Sequence, residues 1–175
     1  SLNALSQYLN GLRTAKGAFT QVNDDGTIST GTIFIKRPGR IRFEYNPPEK
    51  ALVLASGGAV YIFDPKTSQS ETYPLARTPL SIILDKNVNL NRARMVVGHT
   101  ADDTTTTVTA QDPEHPEYGN IQLVFTAKPI ELRQWVINDD AGSRTTVILG
   151  ELNKNASMKD SLFNPELAFP NANDR

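Results

Sequence analysis

The N-terminal segment has the spacing of an amphipathic helix. Its leucines recur at intervals of three and four residues, which places them on one helical face. These leucines are Leu2, Leu5, Leu9 and Leu12. We predict a helix over residues 2–15 that ends before Gly17. Its leucine stripe needs an apolar surface to pack against.

From Phe19 onward the hydrophobic period changes to two, which is typical of strands with one face toward water. Short alternating runs are separated by turns rich in Gly, Pro, Asn and Asp. The predicted strands cover residues 18–23, 26–37, 40–46, 50–56, 59–64, 68–74, 93–99, 104–110, 120–127, 130–138 and 144–151. Because the turns are short, these eleven strands are predicted to pair in one antiparallel meander.

Two segments interrupt this strand pattern. The run TPLSIILD predicts a short apolar helix over residues 79–85, with Thr78 as its cap and Pro79 in its first turn. Its apolar face carries Leu80, Ile83 and Leu84. Near the C-terminus we expect one helical turn before Pro165, followed by a frayed polar tail over residues 170–175.

A sheet of about eleven twisted strands curls on itself. In the strand over 40–46, Ile41, Phe43 and Tyr45 lie on one face and three charged residues lie on the other. The predicted fold is therefore mainly β (α+β), an unclosed antiparallel barrel within a single domain, 1–175. Its hollow is either filled as core by the helices and bulky side chains, or it accepts an apolar ligand.

The composition limits the classes of function that this protein can have. Eighteen Lys and Arg against nineteen Asp and Glu give a net charge of -1, which provides no bulk attraction to nucleic acid. The absence of cysteine excludes disulfides, thiolate catalysis and a thiol for a lipid anchor. No apolar run approaches the ~20 residues of a membrane span, so we expect a soluble protein.

The sequence contains little sign of a metal, cofactor or catalytic site. The two histidines, His99 and His115, are far apart in sequence, and we expect both at the surface and no metal site. No nucleophile elbow, phosphate loop or dinucleotide fingerprint is present, so we expect neither a cofactor nor enzyme activity. The threonine run over residues 104–107, beside two aspartates, is interpreted as an exposed edge strand.

Several short motifs resemble the periplasmic lipoprotein carrier family (LolA), in the same order and spacing over residues 2–85. They are FTQ at 19–21 after the helix, GTIFIKRP at 31–38, FEY at 43–45, GG at 57–58 before VYIFD at 60–64, and TP at 78–79. The resemblance implies an unclosed barrel with an apolar concave surface and a helical lid.

The resemblance also implies a function. Family members carry lipoproteins by their acyl chains, as monomers in the periplasm, from an inner-membrane ATP-binding-cassette releaser to an outer-membrane receptor. The alternative is a related lipid-binding module on the same scaffold, such as an envelope-stress sensor or a glycolipid carrier. A lipid hydrolase is the third hypothesis. The sequence does not identify the lipid.

Three sets of candidate site residues follow. Alternation places the predicted acyl-chain-binding residues on one apolar face: Ile33, Ile35, Ile41, Phe43 and Tyr45. The predicted lid residues are Leu5, Leu9, Leu12, Pro79, Leu80, Ile83 and Leu84. Counting by two from Ile33 and Ile35 places Arg37 on the same apolar face, where an unpaired guanidinium is unfavourable. Alternatively, the strand has already ended and Arg37 reaches solvent. The resemblance implies that Arg37 latches the lid through backbone carbonyls.

Overall fold

The computed structural model describes residues 1–67 and 69–168. Eleven strands form one antiparallel sheet within these ranges. The strands are β1 Thr14–Val22, β2 Ile28–Lys36, β3 Arg40–Tyr45, β4 Leu52–Ser56, β5 Ala59–Asp64, β6 Gln69–Pro74, β7 Val96–Ala101, β8 Thr105–Gln111, β9 Gly119–Ala127, β10 Ile130–Asp139 and β11 Arg144–Leu149. The α-helices are α1 Leu2–Gly11, α2 Ser81–Leu84 and α3 Pro165–Ala168. Short 3₁₀ turns cover Leu75–Arg77, Pro116–Tyr118 and Asp160–Phe163.

The strand order shows why the barrel stays open. The order is β6-β5-β4-β3-β2-β1-β11-β10-β9-β8-β7, so β1 joins two meanders. The two edges of the sheet, β6 and β7, are consecutive in the chain and are not paired with each other. The connection over residues 75–95 must therefore pass from one edge to the other, and it supplies α2. The predicted fold class and the unclosed antiparallel barrel are confirmed.

The concave face of the sheet carries the main core. The register between β2 and β3 sets Ile33 opposite Phe43 and Ile35 opposite Ile41, so these side chains share one face. They belong to one cluster of buried residues with the leucines of α1 and α2. The helices therefore lie against the concave side, as the leucine stripe predicts.

Helix α1 is shorter than predicted. It ends at Gly11, and Leu12 caps it by donating its backbone N–H to the carbonyl of Leu9. The prediction of a helix to residue 15 was wrong because Thr14 already pairs with Lys36 in the sheet. Gly17 lies inside β1, where a Cβ atom would stand 2.8 Å from the backbone oxygen of Glu151. Close backbone approach, not helix termination, is the role of this glycine.

The second helix and one strand also differ from expectation. Helix α2 begins at Ser81, two residues later than predicted, and the Thr78 hydroxyl accepts from the N–H of Leu80 just before it. The threonine-rich strand β8 is not an edge strand, because it pairs with β7 on one side and β9 on the other. The threonine count alone does not tell an edge from an interior strand.

The segment after β11 crosses to the convex face of the sheet. Phe163, in the 3₁₀ turn predicted before Pro165, packs against Phe34 and Leu54 of β2 and β4. Helix α3 follows directly. The expectation of a frayed tail over residues 170–175 lies outside the described residues. In the ranges that the structure describes, no helix is long and apolar enough to cross a membrane.

Candidate functional site

The lid covers most of the apolar floor. Leu5, Leu9 and Leu12 are 2%, 1% and 4% exposed, and Leu80, Ile83 and Leu84 of the second lid element are also buried. Beneath them, Ile33, Ile35 and Ile41 are almost fully buried. Three of the five predicted acyl-contacting side chains are therefore sealed under the lid in this conformation.

Arg37 joins the floor to both lid helices. β2 ends one residue before it, yet the side chain is only 9% exposed and points beneath the lid. Its Nε donates to the backbone oxygen of Ile83 at 2.7 Å, and its Nη1 donates to that of Leu9 at 2.7 Å. Its Nη2 donates to the backbone oxygen of Asp85. The reading in which Arg37 reaches solvent does not fit this geometry.

The acceptors of Arg37 explain how a buried cation is accommodated there. Leu9 lies in the last turn of α1, where its carbonyl oxygen accepts both the capping N–H of Leu12 and Nη1 of Arg37. Ile83 lies in the last turn of α2 and Asp85 directly follows that helix, where carbonyls have no partner within the helix. The planar guanidinium fork satisfies carbonyls from two different helices at once. Burial lowers the pKa of Arg37, and the nearby Asp85 carboxylate acts in the opposite direction.

A second set of contacts ties α1 to the chain after α2. We call residues 85–91 the strap. The Asn10 amide donates to the backbone oxygen of Val88 at 2.9 Å and accepts from the Val88 N–H at 2.8 Å. The Ser6 hydroxyl accepts from the N–H of Leu90 at 3.0 Å. Since Ser6 and Asn10 are four residues apart, they share a helix face. This face of α1 is hydrogen-bonded to the strap.

These strap contacts were not predicted from the sequence. The available signal was a polar spacing within the leucine-rich helix, where Ser6 and Asn10 repeat with the helical period. That spacing is equally typical of a solvent-exposed helix face. Their partners lie 78 and 84 residues away in the chain, so only the folded structure pairs them.

An open space remains where the lid stops. This mouth cleft has a volume of about 560 Å³. Its apolar walls are formed by Phe43, Val53, Val60, Ile62, Trp135 and Val147. Pro79 and Leu80 form its border on the lid side, and Tyr73, Arg77, Asp139 and Asp140 add a polar rim. Of the predicted acyl-contacting residues, Phe43 and Tyr45 line this cleft.

Aromatic packing fixes the inner wall of the mouth cleft. The Phe43 ring meets Phe19 edge to face at 5.4 Å and Trp135 at 6.4 Å between ring centroids. The Tyr45 hydroxyl donates to Gln21 Oε1 at 2.6 Å. Burial is the main cause that raises the pKa of Tyr45 to about 12.

Polar chemistry beyond the lid and cleft is sparse in the part of the chain that the structure describes. His99 and His115 are both exposed, as expected. His115 contacts Glu117 at 3.1 Å on the surface. No group of three or more His, Asp or Glu residues is placed to hold a metal ion within residues 1–67 and 69–168. The geometry therefore defines an apolar cavity with a hydrogen-bonded lid.

Comparison with known proteins agrees with this class of cavity protein. The family profile described as "Outer membrane lipoprotein carrier protein LolA" matches residues 10–166. The chain therefore belongs to the LolA family.

Individual relatives are more distant. A protein of Coxiella burnetii named outer-membrane lipoprotein carrier protein is 26% identical over 169 residues, covering 91% of this chain and 79% of the relative. One of the same name from Chromohalobacter salexigens is 27% identical over 142 residues, covering 78% and 66%. A DUF1329 family protein from Desulfovibrio piger has a similar fold, with a TM-score of 0.55 at 11% identity and coverage of 97% and 96%.

Proposed function

We propose that this protein is a periplasmic carrier that shields the acyl chains of lipoproteins in the hollow beneath its lid. Family membership and the names of its relatives support a carrier role. The observation that carries the proposal is Arg37, a buried cation whose hydrogen bonds join two apolar helices to the apolar floor beneath them. Such a closure is reversible, because no covalent or metal bond has to break.

Transfer energies explain why a lid suits this task. Each buried methylene is worth ~0.8 kcal/mol against water, so an acyl chain of ~15 methylenes represents ~12 kcal/mol. An acyl chain therefore needs shielding whenever it is outside a membrane. In the closed state the lid leucines occupy the floor, and acyl chains would replace them there. Exchanging one apolar surface for another leaves a small net difference, which allows both uptake and delivery.

A small net difference also requires partners. A membrane provides the same ~12 kcal/mol per chain, so the carrier does not extract a lipoprotein by affinity alone. We propose that an inner-membrane ATP-binding-cassette releaser supplies that energy and that an outer-membrane receptor accepts the cargo. Cargo handling by a monomer fits the single concave face.

The proposal is tested by native mass spectrometry of the purified protein mixed with a synthetic triacylated lipopeptide. We expect a one-to-one complex with wild type and its loss in Phe43→Glu, because a carboxylate in the cavity wall opposes acyl burial. Val97→Glu is the matched control, since Val97 is 54% exposed on strand β7, away from the cavity. Thermal melting verifies that each variant is folded.

The same experiment separates the rival functions. Full lipopeptide uptake by a folded Phe43→Glu variant would show that the cavity wall is wrongly assigned. If protein purified from its own cell carries a glycolipid or free lipid and refuses the lipopeptide, the alternative lipid-binding module is the better description. Release of free fatty acid from the lipopeptide would instead indicate a hydrolase.

A further inference from the structure

The mouth cleft and the latch occupy different positions along the hollow. Tyr45, at the cleft, pairs with Gly31 of β2, and Arg37 follows six residues later. At ~3.3 Å per residue this separates them by about 20 Å along the strand. The cleft exists while every Arg37 hydrogen bond is made. Access to the cleft therefore does not require the latch to open.

The dimensions of the cleft favour one chain over several. Its 560 Å³ falls within the roughly 300–1,000 Å³ of sites that hold one small molecule. Its inner wall is apolar and includes Phe43, Ile62 and Trp135, whereas Arg77 and Asp139 stand at its rim. An apolar wall with a polar rim suits an amphiphile whose chain enters and whose head group stays in water.

We propose that the mouth cleft is a separate subsite that receives a single acyl chain of the cargo while the lid is still latched. This inference rests on the proposed carrier function and adds an order of loading to it. The remaining chains would then enter beneath the lid only after Arg37 releases the helices.

The border of the cleft provides the link between the two steps. Leu80 lines the cleft and lies three residues before Ile83, whose carbonyl accepts from Arg37 Nε. A first chain in the cleft packs against Leu80 and so contacts the same short segment that the latch holds. The latch bonds stay intact at this step, and the lid opens only when further chains compete for the floor.

The chain carries two built-in reporters for these steps. Trp135, the one tryptophan in the sequence, lines the cleft. Heavy atoms on a bound chain quench its fluorescence at short range, so quenching reports occupancy. The N–H of Gly39 donates to the backbone oxygen of Leu84 at 2.8 Å, and this bond joins the floor to the lid. The exchange rate of the Gly39 amide therefore reports lid opening.

The experiment compares two probes on the whole protein, an N-hexadecanoyl dipeptide amide brominated along its chain and a triacylated lipopeptide. We expect the single-chain probe to quench Trp135 with one-to-one stoichiometry and to leave Gly39 exchange unchanged. The triacylated probe should accelerate Gly39 exchange by at least about tenfold. Ile62→Glu should weaken single-chain binding by about tenfold or more, which is ~1.4 kcal/mol.

Ile148→Glu is the matched control, because Ile148 is 41% exposed in β11, outside the cleft lining. Accelerated Gly39 exchange with the single-chain probe would overturn the inference, since the lid would then open for the first chain. Binding of the triacylated probe alone would also overturn it and leave the carrier function intact. If neither probe binds, the carrier function fails, and the ordered loading fails with it.

Discussion

At the scale of single residues, Arg37 shows how one side chain joins separate elements. It donates to four backbone carbonyls, those of Leu9 and Asn10 in α1 and of Ile83 and Asp85 at the end of α2, and so joins the ends of both helices to the sheet. A hydrogen bond to a charged group contributes about 1.5–3 kcal/mol. Together such bonds bias the lid toward closure without making it permanent.

Replacing Arg37 should separate loading from delivery. Arg37→Leu removes every latch bond, so the open state gains population and acyl cargo should load from detergent at least as well as in wild type. Transfer to an acceptor should fall about tenfold, because the empty carrier regains less on closing, and ~1.4 kcal/mol corresponds to that factor. Parallel loading and transfer assays with acylated cargo measure both steps.

Arg37→Lys is the informative comparison. Lysine keeps the charge but lacks the planar fork, so it reaches fewer carbonyls, and we expect intermediate transfer. Equal transfer by wild type and Arg37→Leu, with unchanged thermal stability, would remove the latch role from Arg37.

At the scale of elements, α1 has two functional faces. Its leucines face the sheet, and its Ser6 and Asn10 side chains hold the strap. Because the strap follows α2 directly, α1 and α2 are tied into a single lid by contacts that do not involve the sheet. We infer that the two helices move together when Arg37 releases them.

Asn10→Ala should loosen this unit. The change leaves the N–H and C=O of Val88, a buried residue, without their side-chain partner, which costs about 1–3 kcal/mol for each unsatisfied buried group. We expect a lower melting temperature and faster amide exchange at Val88. Gln7→Ala is the control, because Gln7 carries an exposed side-chain amide on the same helix. Unchanged exchange at Val88 would show that the strap is held by apolar packing alone.

At the scale of the whole molecule, the two faces of the sheet serve different purposes. The concave face carries the cleft and lid, and part of the convex face is covered by the segment that carries Phe163. Lys36 and Arg40 on the sheet hold Asp160 of this segment at 2.6 and 3.2 Å. The convex side thus stabilises β2–β4 from behind without using the ligand cavity.

The attachment of this segment through Asp160 should be lost at acidic pH. The hydrogen bond and charge of Lys36 hold the pKa of the Asp160 carboxyl below its usual value. Because the pKa of Asp160 is lower in the folded protein, its contribution to stability is complete above the ordinary aspartate pKa of about 3.9. That contribution is lost as the pH falls through the pKa of Asp160 in the folded protein. The chemical shifts of Phe163 should therefore be constant from pH 8 to about 5 and change below about 4. The change should vanish in Asp160→Asn, and a shift already near pH 6 would contradict the assignment.

Much of the molecule follows from the sequence by itself. Period-two alternation gives eleven strands and identifies the face that carries Ile33, Ile41 and Phe43, because neighbouring side chains in a strand point to opposite sides. The leucine spacing gives the apolar face of α1, since it depends only on local helical geometry. These features need no knowledge of distant residues.

Only the tertiary structure decided the rest, because it depends on contacts between distant parts of the chain. Pairing of β1 with β2 ends α1 at Gly11, and pairing of β1 with β11 leaves β6 and β7 as the edges. Within one apolar face, the lid seals Ile33 and leaves Phe43 at the cleft. Alternation cannot make that distinction, because it specifies the side of a sheet and not what packs against it.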